Sequence, residues 1–147
     1  AVHNIVGLGE ACRISMEDME KDIDLINSLK EYFIKKLSDN CSNIIYNGNM
    51  KYRIPGNLNL SFQNLNQEPL IPKLNKIAIS SGSACTSSTP LPSHVLKALG
   101  VKESLIKSTI RIGIGRFNTM EEIDFVCDYI IEVVNKLSLK KKEVLND

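Results

Sequence analysis

The sequence has almost no charge imbalance. Acids and bases nearly cancel over 147 residues, leaving a formal net charge of +1. A nucleic-acid footprint or an electrostatic membrane patch needs clustered positive charge, so neither partner is expected. No run of about 18 apolar residues occurs, so no spanning helix is expected. The first residues lack the basic and apolar regions of a signal peptide. The four cysteines, Cys12, Cys41, Cys85 and Cys127, form no C-x-x-C pair, which removes zinc-ligand spacing. A disulfide framework needs an oxidising compartment, and no export signal supports one. Reduced thiols, most of them small core residues, are therefore expected. His3 and His94 are the only histidines, and neither has the spacing of a metal site or a catalytic triad. No internal repeat or second domain is visible, and this length suits one domain with a real core.

The remaining pattern mixes helices and short strands. Residues 2–13 read as the middle of a helix, opening without a cap or a methionine, so an upstream part is expected to be missing. In residues 16–38, Met16, Met19, Ile23, Ile26, Leu29, Phe33 and Leu37 step by three and four, predicting a long amphipathic helix capped by Ser15. Residues 44–46 fit a short strand. Residues 57–62 alternate strictly, with Leu58, Leu60 and Phe62 on one side of a half-buried strand. A short helix over 68–75 with Pro69 in its first turn, and a strand over 76–80, are expected next. Ser93 is the expected cap of a helix over 94–99 that stops at Gly100. Residues 109–115 alternate again as a strand. Thr119 and Glu122 form a capping box for a last helix, with Ile123, Val126, Ile130, Val133 and Leu137 inward. Helices against a small, mostly antiparallel sheet, an α+β layer, is the expected class.

Two residues stand out chemically. Cys85 lies in a small, polar stretch, residues 80–92, that cannot bury much and follows a predicted strand. A mobile segment of that kind can present a thiol to different sites, and thiolate character decides its reactivity. An ordinary serine-rich loop that happens to hold a cysteine fits the same residues. Arg111 leaves its strand on the face opposite Ile110 and Ile112. Its guanidinium fork suits a planar carboxylate, held by two parallel hydrogen bonds, or a structural ion pair. Arg116, nearby, fits a structural or loop-positioning role. Asn57 and Ser93 are explained by turn and cap roles, His94 by surface packing, and Cys12, Cys41 and Cys127 by structural positions.

The segment Ser80-Ser81-Gly82-Ser83-Ala84-Cys85-Thr86-Ser87, followed by Pro92-Ser93-His94-Val95-Leu96-Lys97-Ala98-Leu99-Gly100, resembles the active-site segment of group I cysteine desulfurases. These are the NifS/IscS-type branch of the class V aminotransferase-like fold. IVGLGEA (5–11), NLNLSF (57–62) and IRIGIGRFNT with its Glu-Glu-Ile-Asp sequel (110–124) extend the likeness, in order and spacing, over nearly the whole chain. The resemblance implies the C-terminal small domain of a fold-type I transferase dependent on pyridoxal 5'-phosphate, spanning residues 1–147. It implies conversion of L-cysteine to L-alanine, with sulfur captured as a persulfide on Cys85 and the substrate α-carboxylate anchored by Arg111. The sulfur would pass to an iron–sulfur cluster scaffold and other acceptors, with tRNA thiolation a further outlet. A selenocysteine lyase on the same scaffold and a non-catalytic interaction module are the other readings.

The family's cofactor lysine follows a histidine in a large upstream domain, and no His-Lys pair occurs here. No cofactor-binding or metal-binding residue is therefore assigned, and the isolated chain is expected to be folded but inactive. The resemblance also implies a full-length homodimer in the mitochondrial matrix or the bacterial cytoplasm. Thr89-Pro90-Leu91-Pro92 stands where relatives commonly carry a Leu-Glu-Pro arrangement, an extra proline that stiffens the loop's far end. The C-terminal extension with which relatives contact the scaffold is expected to be cut short at Asp147.

Overall fold

Strict alternation over residues 57–62 and 109–113 produces the centre of the molecule. The computed structural model describes residues 1–65, 69–80 and 93–144, with side chains up to residue 138. Helix α1 (Val2–Asn40) leads into strands β1 (Ile44–Tyr46) and β2 (Asn57–Phe62). A 3-10 turn (Ile71–Lys73), helix α2 (His94–Ala98) and a second 3-10 segment (Glu103–Ser108) precede strand β3 (Thr109–Gly113) and helix α3 (Met120–Val144). The three strands form one antiparallel sheet in the order β1-β2-β3. Register sets Leu58 opposite Ile112, Leu60 opposite Ile110 and Asn59 opposite Arg111.

A period of two sends these pairs to opposite faces. Leu58, Leu60, Phe62, Ile110 and Ile112 point into the core. Leu29, Phe33 and Leu37 of α1 and Ile123, Cys127, Ile130, Val134 and Leu137 of α3 cover them. Fully burying a side chain such as Phe33 contributes roughly 1.5–3 kcal/mol. The opposite face carries Asn57, Asn59, Ser61, Thr109 and Arg111. This is the expected α+β layer, and its polar face gathers hydrogen-bonding side chains from β2 and β3. The capping box forms as the sequence implied: Thr119 N donates to Glu122 Oε2 at 3.1 Å and Glu122 N to Thr119 Oγ1 at 3.3 Å. Gly100, with φ of 71°, ends the turn after α2 in the left-handed conformation.

Several local expectations are corrected. Helix α1 starts at Val2, so Ser15 lies inside it rather than capping it. Its apolar stripe is continuous, but a helix of 39 residues runs roughly 58 Å and a five- or six-residue sheet reaches only a third of that. Leu29, Phe33 and Leu37 are buried, whereas Met16 stays 81% exposed and Met19 55%. Of the helix expected over 68–75, the described residues 69–75 form only the 3-10 turn at 71–73. Pro69 and Pro72 remove two backbone donors from so short a stretch, and the Lys73 carbonyl is capped by the Tyr129 hydroxyl at 2.9 Å instead. The strand expected over 76–80 shrinks to a single bridge between Ser80 and Arg111. Ile77 is still held in the preceding turn, its N–H donating to Leu74 O at 3.3 Å, so only Ser80 reaches β3. Ser93 occupies the cap position of α2 without a side-chain cap hydrogen bond.

The strand over 109–115 ends at Gly113, but pairing is prolonged by Ile114 N donating to Gly56 O at 2.8 Å. That approach requires glycine at 56, because a Cβ there would sit 1.9 Å from the Ile114 carbonyl oxygen. Among the described residues, no helix is long and apolar enough to cross a membrane.

Helices α1 and α3 are clamped by charge. Lys36 Nζ lies 2.6 Å from Asp124 Oδ1 and 2.6 Å from Asp128 Oδ1, and the Tyr32 hydroxyl also donates to Asp124. The Lys36 ammonium and the Tyr32 hydroxyl hold the Asp124 carboxyl below the usual carboxylate range. A depressed folded pKa stabilises above the unfolded value and is lost as pH falls through the folded one. Thermal unfolding followed from neutral pH downward should show wild type above Asp124→Asn at neutrality. The two should converge below about pH 4. A gap that stays constant through acid would remove charge pairing as its cause.

Candidate functional site

Arg111 stands on the polar face because its neighbours on β3 are Ile110 and Ile112, both buried. Its backbone is fixed from both sides. Asn59 pairs with it across β2, and its own N–H donates to Ser80 O at 2.7 Å. The side chain opens into a cleft of about 300 Å³ shared with Arg53, Asn57, Asn59, Ser93 and Leu99. Among the described residues, two guanidinium groups line this cleft and no carboxylate does. A site of that composition takes an anion.

Hydrogen-bond accounting separates the two arginines. Arg53 donates from Nε to Asn49 O at 2.9 Å, from Nη1 to Asn57 O at 3.2 Å and from Nη2 to Asn47 O at 2.6 Å. Its fork is spent on three carbonyls that shape the loop between β1 and β2. Among the described residues, the Arg111 guanidinium has no hydrogen-bond or ion-pair partner. The Arg111 fork faces the cleft with its donors open, and Arg53 builds the wall beside it. A larger hollow of about 500 Å³ lies between the end of β3 and the start of α3. It is lined mainly by apolar groups such as Ile77, Ile79 and Phe125, with Lys76, Glu121 and Glu122 as its charged members, Glu122 being engaged in the helix cap. Among the described residues, the charges of the larger hollow are of both signs, whereas those of the smaller cleft are positive only.

The other candidates fall out as follows. Cys85 lies outside the described residues, as does the proline-altered stretch 89–92. The segment that contains Cys85 leaves from Ser80, bridged to Arg111, and returns at Ser93 on the wall of the cleft. Arg116 is a structural tie: it reaches Asp22 at 2.7 Å and Asp18 at 4.0 Å, joining the turn before α3 to α1. His3 and His94 are exposed, on α1 and α2 respectively. Cys41 and Cys127 are buried, as expected of structural thiols, and Cys12 is exposed on the uncovered half of α1. Burial pushes the Cys127 thiol up to about 12 and raises that of Cys41. Both shifts hold these thiols toward the neutral form and away from the reactive thiolate. Asn47, Arg53 and Asn59 were missed, although Asn57, Asn59 and Ser61 form the polar half of the alternation that exposed Arg111.

No group of three His, Cys, Asp or Glu side chains among the described residues could hold a metal ion. Nor do the cleft residues fit pyridoxal phosphate as its holders. Among the described residues, they offer no lysine for its aldehyde and no carboxylate for its ring nitrogen.

Residues 1–126 match the family described as aminotransferase class-V. The chain is similar to the protein named cysteine desulfurase IscS of Pseudomonas fluorescens, 46% identical over 93% of this chain and 34% of that protein. It is 44% identical to the one named cysteine desulfurase, mitochondrial, of Arabidopsis thaliana, over 93% of this chain and 30% of the relative. A solved NifS-like protein from Rickettsia africae superposes with a TM-score of 0.74 at 26% identity, covering 89% of this chain and 34% of that one. The chain thus spans about a third of the length of the curated relatives it matches.

Proposed function

This chain belongs to the aminotransferase class-V family, and we propose that it is the C-terminal part of a cysteine desulfurase. The observation that carries the reading is the Arg111 fork, without a partner among the described residues, in a cleft that these line with two arginines and no acid. Such a fork binds the α-carboxylate of an amino acid in two parallel hydrogen bonds. The relatives named cysteine desulfurase make that amino acid L-cysteine.

In this reading Cys85 accepts the sulfur. Its thiolate attacks the substrate's sulfur, an S–S bond forms as the Cβ–S bond breaks, and Cβ keeps the electron pair and takes a proton. L-Cysteine becomes L-alanine and Cys85 a persulfide. Chain length favours this assignment. Cys85 is five residues from Ser80, so a trans chain keeps their Cα atoms within roughly 18 Å. The lysine and phosphate cradle for pyridoxal phosphate belong to a large upstream domain beyond these residues, and the 147-residue chain alone is inactive. The persulfide sulfur goes on to an iron–sulfur scaffold protein and other acceptors, including those of tRNA thiolation. The full-length protein is a homodimer in a reducing compartment, the mitochondrial matrix or the bacterial cytoplasm.

The test uses the full-length protein, incubated with L-cysteine without added thiol. Alanine is quantified and the persulfide is mapped by peptide mass spectrometry. Alanine with a persulfide on Cys85 is the expected result, and the 147-residue chain should form none. Absence of alanine from the full-length protein would remove the desulfurase reading. Alanine with the persulfide on another cysteine would remove Cys85.

A further inference from the structure

On the polar face of the sheet, a buried line of hydrogen bonds runs toward Arg111. Asn47 Nδ2 lies 2.7 Å from Ser61 Oγ and 2.7 Å from Asn59 Oδ1. Ser61 Oγ lies 2.7 Å from Thr109 Oγ1, and Thr109 Oγ1 lies 2.7 Å from the carbonyl oxygen of Leu105. Ser61 and Thr109 are essentially without solvent contact, and Asn47 is 6% exposed.

The direction of this line follows from its end. A carbonyl can only accept, so the Thr109 hydroxyl spends its single proton on Leu105. Ser61 must then donate to Thr109. Its remaining contact, to Asn47, is one in which it accepts, so Asn47 turns its NH2 inward. The same NH2 faces Asn59, whose amide must therefore present Oδ1 to Asn47. The orientation of two amides, ordinarily ambiguous, is fixed by chemistry from a carbonyl three hydrogen bonds from Asn47 and four from Asn59.

What remains is the Asn59 NH2. No buried side-chain polar atom among the described residues lacks a partner, so this group is open to the cleft that Asn59 lines. Asn59 is the direct cross-strand partner of Arg111. Side chains so paired stand roughly 4.5–5.5 Å apart at Cβ. We propose that Asn59 donates an amide N–H to the substrate α-carboxylate beside Arg111, and that Leu105, Thr109, Ser61 and Asn47 hold its amide that way round. The inference rests on the carboxylate reading of the cleft. Asn59 is a binding residue in it, while Thr109, Ser61 and Asn47 are positioning residues.

Asn59→Asp keeps the shape and the acceptor toward Asn47 but replaces the donor with an oxygen that repels a carboxylate. In the full-length protein, KM for L-cysteine should rise about tenfold or more, with a smaller change in kcat. Binding of cysteamine, which lacks the carboxylate, should not weaken. Thr109→Val removes the proton that sets the direction while conserving volume, and KM should again rise, with Thr109→Ser restoring it. Packing alone would give the opposite ranking, since valine fills the site better than serine. Arg111→Ala run alongside separates the two levels. If it binds cysteine like wild type, the carboxylate reading fails and this inference with it. If Arg111→Ala loses affinity while Asn59→Asp and Asn59→Ala keep the wild-type KM, the Asn59 role alone is overturned.

Discussion

Exchange of Cys85 for serine in the full-length protein is expected to abolish alanine formation from L-cysteine, a loss of roughly a thousandfold or more. Attack on a substrate sulfur needs a thiolate. An unperturbed cysteine thiol, with a pKa near about 8.5, supplies a few per cent of that form at neutral pH, whereas a serine hydroxyl supplies essentially none. No described cysteine can stand in for it. Cys127 is buried with its thiol pushed up to about 12, Cys41 is buried and raised, and Cys12 is exposed on α1. None of these three lines the Arg111 cleft. Substrate should still bind, because the proposed carboxylate contacts to Arg111 and Asn59 are untouched. The variant should therefore show an unchanged dissociation constant for L-cysteine alongside its lost turnover. Alanine production within a few-fold of wild type would show that another group takes the sulfur.

The two parts of this site were legible to different degrees. Arg111 was readable because a period of two is a local rule. Once Ile110 and Ile112 belong to the core, the residue between them must face away, and the observed register agrees. The capping box at Thr119 and Glu122 was readable for the same reason, since both partners lie within one turn. Arg53 and Asn47 were not readable. Their roles come from carbonyls and hydroxyls on β2 and its flanking loop, brought together only by strand pairing. The reach of α1 was misjudged from the other side. Its apolar pattern is as regular at Met16 and Met19 as at Leu29 and Phe33, but burial depends on whether a partner extends that far. Prolines decided the remaining error, cutting a predicted helix down to one 3-10 turn at Ile71–Lys73.

The strongest demand on the cleft itself falls on Arg111. Arg111→Ala in the full-length protein should raise KM for L-cysteine about a hundredfold, because two charge-assisted hydrogen bonds disappear together. Arg111→Lys should recover only part of that loss. An ammonium restores the charge as a point but cannot meet both carboxylate oxygens in one plane. Neither change should unfold the protein. The side chain is exposed, it has no partner among the described residues, and the bonds that fix its position belong to the backbone. Unfolding midpoints within a degree or two of wild type, on the order expected for a surface substitution, would confirm that affinity and not folding has been measured. Arg53 provides the contrast, since its three carbonyl contacts make it part of the wall. If Arg111→Ala kept wild-type affinity for L-cysteine, the carboxylate would have to be held outside this cleft. The open fork would then need a different anion.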